Sequence, residues 1–217
     1  RSEGRTRNLV SVGHAISKDL YNWDYMGTIL SPGKQGSWDG LSILGGHTIY
    51  HDQKFYLFYT GCSKLNSWTQ QIGLAISSDL TFFERFGDGP LLDHKHHNYE
   101  FSCADRNPVE ILSAWKDPHV FRDNNQDRWI MIFSAKSNLP GPYNACIGMA
   151  VSKNLLQWEV LPPILEPGIY AEMTTPQLYH ANGLFYLFFS TMAEFYSPDT
   201  PDRKSTRLNS SHLVISY

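Results

Sequence analysis

The sequence predicts an all-β chain built as a β-propeller, and three recurring phrases predict it. The first is Gly13-His14-Ala15-Ile16-Ser17-Lys18-Asp19-Leu20-Tyr21-Asn22-Trp23-Asp24, repeated from Gly73 to Glu84 and again from Gly148 to Glu159. The copies share G-x-A-[IV]-S-x-[DN]-L-x-x-[WF]-[DE], spaced by about 60 and 75 residues. The second is an apolar, aromatic-rich run: Phe55-Tyr56-Leu57-Phe58-Tyr59-Thr60, Trp129-Ile130-Met131-Ile132-Phe133-Ser134 and Phe185-Tyr186-Leu187-Phe188-Phe189-Ser190. The third precedes each of these: Gly46-His47-Thr48-Ile49-Tyr50, Asp117-Pro118-His119-Val120-Phe121 and Thr175-Pro176-Gln177-Leu178-Tyr179. Repetition at such a period marks a supersecondary unit that stacks on its own copies.

Each unit reads as four strands. The third phrase opens it. The second phrase is a short apolar run bounded by turn residues, which suits a strand buried on both faces. The first phrase holds a strand, a turn and the start of a fourth strand. Its x-[DN]-L carries turn chemistry, because Asp and Asn side chains satisfy local backbone donors. Asp19, Asp79 and Asn154 therefore read as structural: a turn that serves every unit is not a unique active site. Four short antiparallel strands repeated radially make propeller blades. The alternative, a β-sandwich, does not usually repeat its sequence. Laid along the chain, the phrases give about two complete four-stranded blades, from Gly46 and from Asp117, with a partial blade at each end.

Composition bounds the function. Hydrophobic residues make up 41% and aromatic residues 14%, enough for a packed core. A net charge of −3 gives no electrostatic reason to expect nucleic acid or an anionic membrane as partner. No apolar run approaches the roughly 20 residues of a membrane helix. Three cysteines, Cys62, Cys103 and Cys146, without a C-x-x-C, argue against a disulfide framework or zinc site. No metal or cofactor is expected. The cluster His94, His96 and His97, with Lys95 inside it, reads as a solvated turn. Asp105 and Glu110, in a long loop before Asp117, read as solvated carboxylates. The compartment is left open.

Residues 202–217 change character, becoming polar and without alternation after the breaker-rich Ser197-Pro198-Asp199-Thr200-Pro201. They can be back-translated into a common sequencing adapter and are set aside from fold reasoning. Residues 1–201 are expected to form one partial domain, truncated at both ends.

Taken in order, the phrases resemble the five-bladed catalytic propeller of glycoside hydrolase families 32, 68 and 43. They lie closest to the β-fructosidase (invertase and levanase) group. Gly13-His14-Ala15-Ile16-Ser17-Lys18-Asp19-Leu20-Tyr21-Asn22-Trp23 is similar to that group's G-H-A-x-S-x-D-L-x-x-W, and Lys116-Asp117-Pro118 to its R-D-P. The resemblance covers about Val12 to Thr191. It implies a glycosidase acting on carbohydrate, most simply a retaining enzyme on sucrose or fructans. An arabinanase- or xylosidase-like hydrolase and an inactive carbohydrate-binding propeller are the alternatives.

The same resemblance implies the site. Glycoside cleavage needs one carboxyl to protonate the leaving oxygen and another to attack or activate water on the opposite face. The first-blade nucleophile has no counterpart and is expected upstream of Arg1. Asp117 matches the transition-state stabiliser. Lys116 stands where the family has Arg; it keeps the charge but loses the planar fork. Aligning Pro176 with E-x-P puts Thr174 at the position of the general acid. The nearest carboxyl is Glu172, which would face the same side if the strand ran through it. Trp38, His47, Trp115, Lys116 and Thr174 are the substrate-binding candidates. For Trp38 and Trp115 the alternative reading is packing into the core.

Overall fold

The computed structural model describes residues 10–63, 70–92, 96–100 and 115–199, and the backbone of 211–215. The described residues form four antiparallel sheets, each a meander in sequence order. Sheet one holds β1 (Val12–Ser17) and β2 (Trp23–Leu30). Sheet two holds β3 (Ser42–His51), β4 (Lys54–Cys62), β5 (Gln70–Ser77) and the short β6 (Glu84–Arg85). Sheet three holds β7 (Lys116–Asp123), β8 (Arg128–Lys136), β9 (Ala145–Ser152) and β10 (Glu159–Leu165). Sheet four holds β11 (Thr174–Ala181) and β12 (Leu184–Ser190), with β13 (Ser211–Ile215) added along β12. β13 falls within the run set aside above; the open edge of a strand is a template to which any extended segment can add.

The aromatic-rich runs are the second strands; β4 and β8 are covered on both faces, whereas β12 buries Leu187 and Phe189 on one face and leaves Leu184 and Phe185 exposed. Successive side chains of a strand point to opposite faces. Leu57 and Tyr59 accordingly join Leu30, Ile43, Ala75 and Phe83 between sheets one and two. Tyr56 and Phe58 face the other way and join Met131, Phe133, Ala150 and Leu155 between sheets two and three. Ile132 then joins Ile147, Met173, Leu187 and Phe189 between sheets three and four. The core is thus three apolar layers between face-packed sheets, and the first strands converge: β7 packs against β3 on one side and β11 on the other.

The repeated turn is one structure built three times. Ser17 Oγ accepts the N–H groups of Asp19 (3.2 Å) and Leu20 (2.9 Å), and Asp19 Oδ1 accepts those of Tyr21 (2.9 Å) and Asn22 (2.8 Å). Ser77 with Asp79, and Ser152 with Asn154, repeat the pattern. Leu20, Leu80 and Leu155 all take left-handed backbone, at φ 67°, 66° and 65°. These N–H bonds, led by that of Asn22, hold the Asp19 carboxyl well below its ordinary range.

The copies differ in what covers them. Leu155 is fully buried, and Trp158 meets Phe58 of sheet two edge-on. Phe83 is buried toward sheet one. Leu20 and Trp23, their counterparts in sheet one, are exposed.

Cys62 and Cys146 are buried free thiols; Cys103 lies outside the described residues. Among the described residues no helix is long and apolar enough to cross a membrane.

Candidate active site

The three first strands carry the same irregularity at the same place. Leu44 pairs with Thr60 and Gly46 with Tyr59; Lys116 pairs with Ser134 and His119 with Ile132; Thr174 pairs with Ser190 and Gln177 with Phe188. Each first strand therefore holds one residue more than its partner, a β-bulge that re-aims the side chain there. The bulges set Gly45, Asp117 and Thr175 at equivalent positions on β3, β7 and β11. Gly45 offers no side chain, and a Cβ built on it would meet nothing within 4 Å. Asp117 and Thr175 both lie in the left-handed region, at φ 54° and 48°. Asp tolerates that conformation; a β-branched Thr does so at greater cost. Such strain persists where the surroundings over-determine it, and it gathers at functional sites.

Asp117 is fixed from both sides. Its N–H donates to Thr60 Oγ1 on sheet two at 2.9 Å. Its Oδ2 accepts the N–H of Thr175 on sheet four at 3.0 Å. Oδ1 has no hydrogen-bond partner among the described residues.

Lys116 and Glu172 form an ion pair, Nζ to Oε1, with both residues buried. The side chain of Lys116 is thus turned away from solvent. Glu172 lies before β11, which starts at Thr174, so strand alternation does not govern where its side chain points. The pair nonetheless brings Glu172 to the residue adjacent to Asp117.

The other expected residues divide. Thr174 is half-buried and donates its hydroxyl to Ser190 O at 3.2 Å. Trp115 was expected to line the funnel or pack; it packs. It is 2% exposed, its ring set against Tyr99 and Phe133, and so offers no face to a sugar. Trp38 stacks on Tyr59, with ring centroids 5.7 Å apart, and lies over Gly61 and Gly73, where a Cβ would collide with its ring. One face of Trp38 is therefore committed to sheet two. Beside it Asp39 is buried, holding the Tyr59 hydroxyl at 3.0 Å and Arg85 Nε at 2.7 Å. That carboxylate ties the loop before β3 to its sheet.

His47 and His119 occupy matching places on β3 and β7, two residues beyond Gly45 and Asp117. Their rings lie 4.7 Å apart, and His47 Nδ1 accepts the N–H of Val120 at 3.2 Å. Burial lowers the pKa of His47; burial, then the neighbouring His47, lowers that of His119 to about 4. Both rings are neutral at pH 7. A histidine whose folded pKa lies below its unfolded value contributes stability that is complete above the unfolded pKa, near 6.5, and is lost as pH falls through the folded one. The melting temperature is therefore expected to fall between pH 6.5 and 4. His119→Gln, which puts there the residue β11 carries as Gln177, is expected to flatten that fall. An equally steep fall in the variant would remove the pair from the acid response.

Sequence reasoning passed over Thr60, Thr175 and His119. Superposing Lys116-Asp117-Pro118 on Thr174-Thr175-Pro176 gives Thr175 as the counterpart of Asp117, and the position of Thr60 recurs as Ser134 and Ser190. Among the described residues no group of three or more His, Cys, Asp or Glu could hold a metal. His94, Asp105 and Glu110 lie outside them.

Face-packed antiparallel sheets whose first strands meet at a carboxylate define a propeller-type protein. Solved structures share this fold. The β-fructofuranosidase of Bombyx mori superposes with a TM-score of 0.66 and 20% identity, covering 93% of this chain and 39% of that one. The inulosucrase of Halalkalicoccus jeotgali, bound to kestose, gives 0.70 and 21%, covering 87% and 51%. In sequence, the sucrose-6-phosphate hydrolase of Bacillus subtilis is 29% identical over 161 residues, covering 72% of this chain and 28% of that protein. The extracellular sucrase of Zymomonas mobilis is 24% identical over 211 residues, covering 82% and 50%. The chain thus spans about half or less of the length of these relatives. Residues 3–180 match the N-terminal domain of glycosyl hydrolases family 32. The chain belongs to that family.

Proposed function

We propose that the protein hydrolyses fructosyl linkages, in sucrose or fructans, as a retaining β-fructosidase. Asp117 carries this reading: a residue on a bulge whose backbone is held by one neighbouring sheet and whose carboxylate is held by the other, with one oxygen that has no partner among the described residues. That oxygen would hold sugar hydroxyls and stabilise the oxocarbenium-like transition state. Glu172 is proposed as the general acid. Support comes from its pairing with Lys116 beside Asp117, although it stands two residues before the expected position. His47 is proposed to line the sugar site one step deeper, and Trp38 to offer its outer face. Two solved structures of the same fold, a β-fructofuranosidase with sucrose and an inulosucrase with kestose, support a carbohydrate substrate.

The four sheets are proposed to belong to a five-bladed ring. In sheets two and three the Leu and aromatic of the repeated turn are covered by the preceding sheet. The same pair in sheet one, Leu20 and Trp23, presents an uncovered face of the kind another blade would cover.

A second reading, a carbohydrate-binding propeller without turnover, is favoured by one observation: Thr174 occupies the acid position of E-x-P. The two separate on fructose release from sucrose, sucrose 6-phosphate and inulin, using protein expressed from the complete reading frame. Release from at least one is expected. Binding without release would establish the second reading.

A further inference from the structure

We infer that Thr60 is a positioning residue for Asp117, acting from the neighbouring sheet; this rests on the role proposed for Asp117 above. The bulge takes the Asp117 N–H out of the β7–β8 ladder, and a buried backbone donor needs a partner. Thr60 provides it. Its side chain is fully buried at the end of the aromatic-rich run of β4, and its Oγ1 accepts the Asp117 N–H at 2.9 Å. On the other side Asp117 Oδ2 accepts the Thr175 N–H at 3.0 Å. The backbone of Asp117 is held by sheet two and its carboxylate by sheet four. The first hold fixes the left-handed backbone, and with it the direction in which the carboxylate leaves the strand.

The repeat separates this from ordinary packing. Ser134 holds in β8 the place of Thr60 in β4, since each pairs with the residue just before a bulge. The Ser134 hydroxyl is equally buried and has no hydrogen-bond partner among the described residues. The N–H that the repeat would bring to it, that of Thr175, goes to Asp117 instead. The hydroxyl is thus engaged at the blade that faces Asp117 and idle at the next.

Sucrose kinetics of Thr60→Val, Thr60→Ser and Ser134→Ala, in protein expressed from the complete reading frame, test this. Thr60→Val keeps the shape and removes the acceptor. It is expected to lower kcat on the order of 10²-fold, the scale of an ångström of misplacement, with KM changed much less. Thr60→Ser is expected to restore most of the loss, and Ser134→Ala to leave both constants unchanged. Should Thr60→Val fail to fold, Thr60→Ala removes the acceptor without placing a methyl against the N–H and is read the same way. Wild-type kcat in the folded variant, or an equal loss in Ser134→Ala, would overturn the role. A wild-type protein that releases no sugar from any substrate would overturn the proposed function, and this inference with it. An active enzyme indifferent to Thr60 overturns the inference alone.

Discussion

Asp117→Asn is expected to fold as the wild type does and to lose turnover on the order of 10³-fold, the scale of removing one preorganised electrostatic contact from a transition state. The variant is clean for structural reasons. Asn tolerates left-handed backbone as Asp does, so φ 54° is kept. The side-chain oxygen of Asn still accepts the Thr175 N–H, and the Asp117 backbone bond to Thr60 is untouched. The charge goes, and the atom facing the ligand becomes an amide NH2, a donor where Oδ1 was an acceptor. A group that acts in the transition state lowers kcat and kcat/KM together, whereas uniform substrate binding raises KM alone. Steady-state kinetics on sucrose with a thermal melt of the same sample decide the matter. Undiminished turnover would remove Asp117 from the chemistry, and a rise in KM alone would make it a binding residue.

Lys116→Met is expected to have the largest effect on stability. It leaves the Glu172 carboxylate buried beside an apolar chain. Breaking a buried pair from one side costs about 3–5 kcal/mol, while replacing both partners by apolar residues is often neutral. The single variant should therefore melt on the order of 10 °C lower, and Lys116→Met with Glu172→Leu should recover most of that. A single variant as stable as wild type would mean that the two side chains do not share a buried site. Catalysis gives the same pair a second readout. If Glu172 is the proton donor, Glu172→Gln slows substrates with poor leaving groups most. A larger loss from Thr174→Ala would move that role away from Glu172.

The parts legible in the sequence are those that repeat. The aromatic-rich runs of β4 and β8 reveal strands with two buried faces, because neither face carries a polar series; the same pattern in β12 is covered on one face. The Ser-x-[Asp/Asn]-Leu turn is written in residues that satisfy their own backbone, and so reads the same at Ser17, Ser77 and Ser152. Asp117 is legible only through the resemblance of Lys116-Asp117-Pro118 to the R-D-P of family 32.

The site's remaining geometry depends on partners distant in sequence. Glu172 reaches Lys116 across 56 residues, and Thr60 reaches Asp117 across 57. No local pattern encodes either contact. The left-handed conformation of Thr175 runs against the preference of a β-branched residue, so propensity points away from it. Trp115 and Trp38 share a residue type but differ in setting: one is enclosed by Tyr99 and Phe133, the other lies over two glycines and is half-buried. Burial of an aromatic ring is a property of its neighbours, and those are fixed only when the sheets meet.

A crystal structure of the protein expressed from its complete reading frame, grown or soaked with fructose, tests the central claim most directly. The sugar is expected at the heads of β3, β7 and β11, with Asp117 Oδ1 within hydrogen-bond distance, about 2.5–3.0 Å, of a ring hydroxyl. Asp117 is expected to keep its bonds to Thr60 and Thr175. A sugar bound elsewhere, with Asp117 facing only protein or water, would contradict the claim.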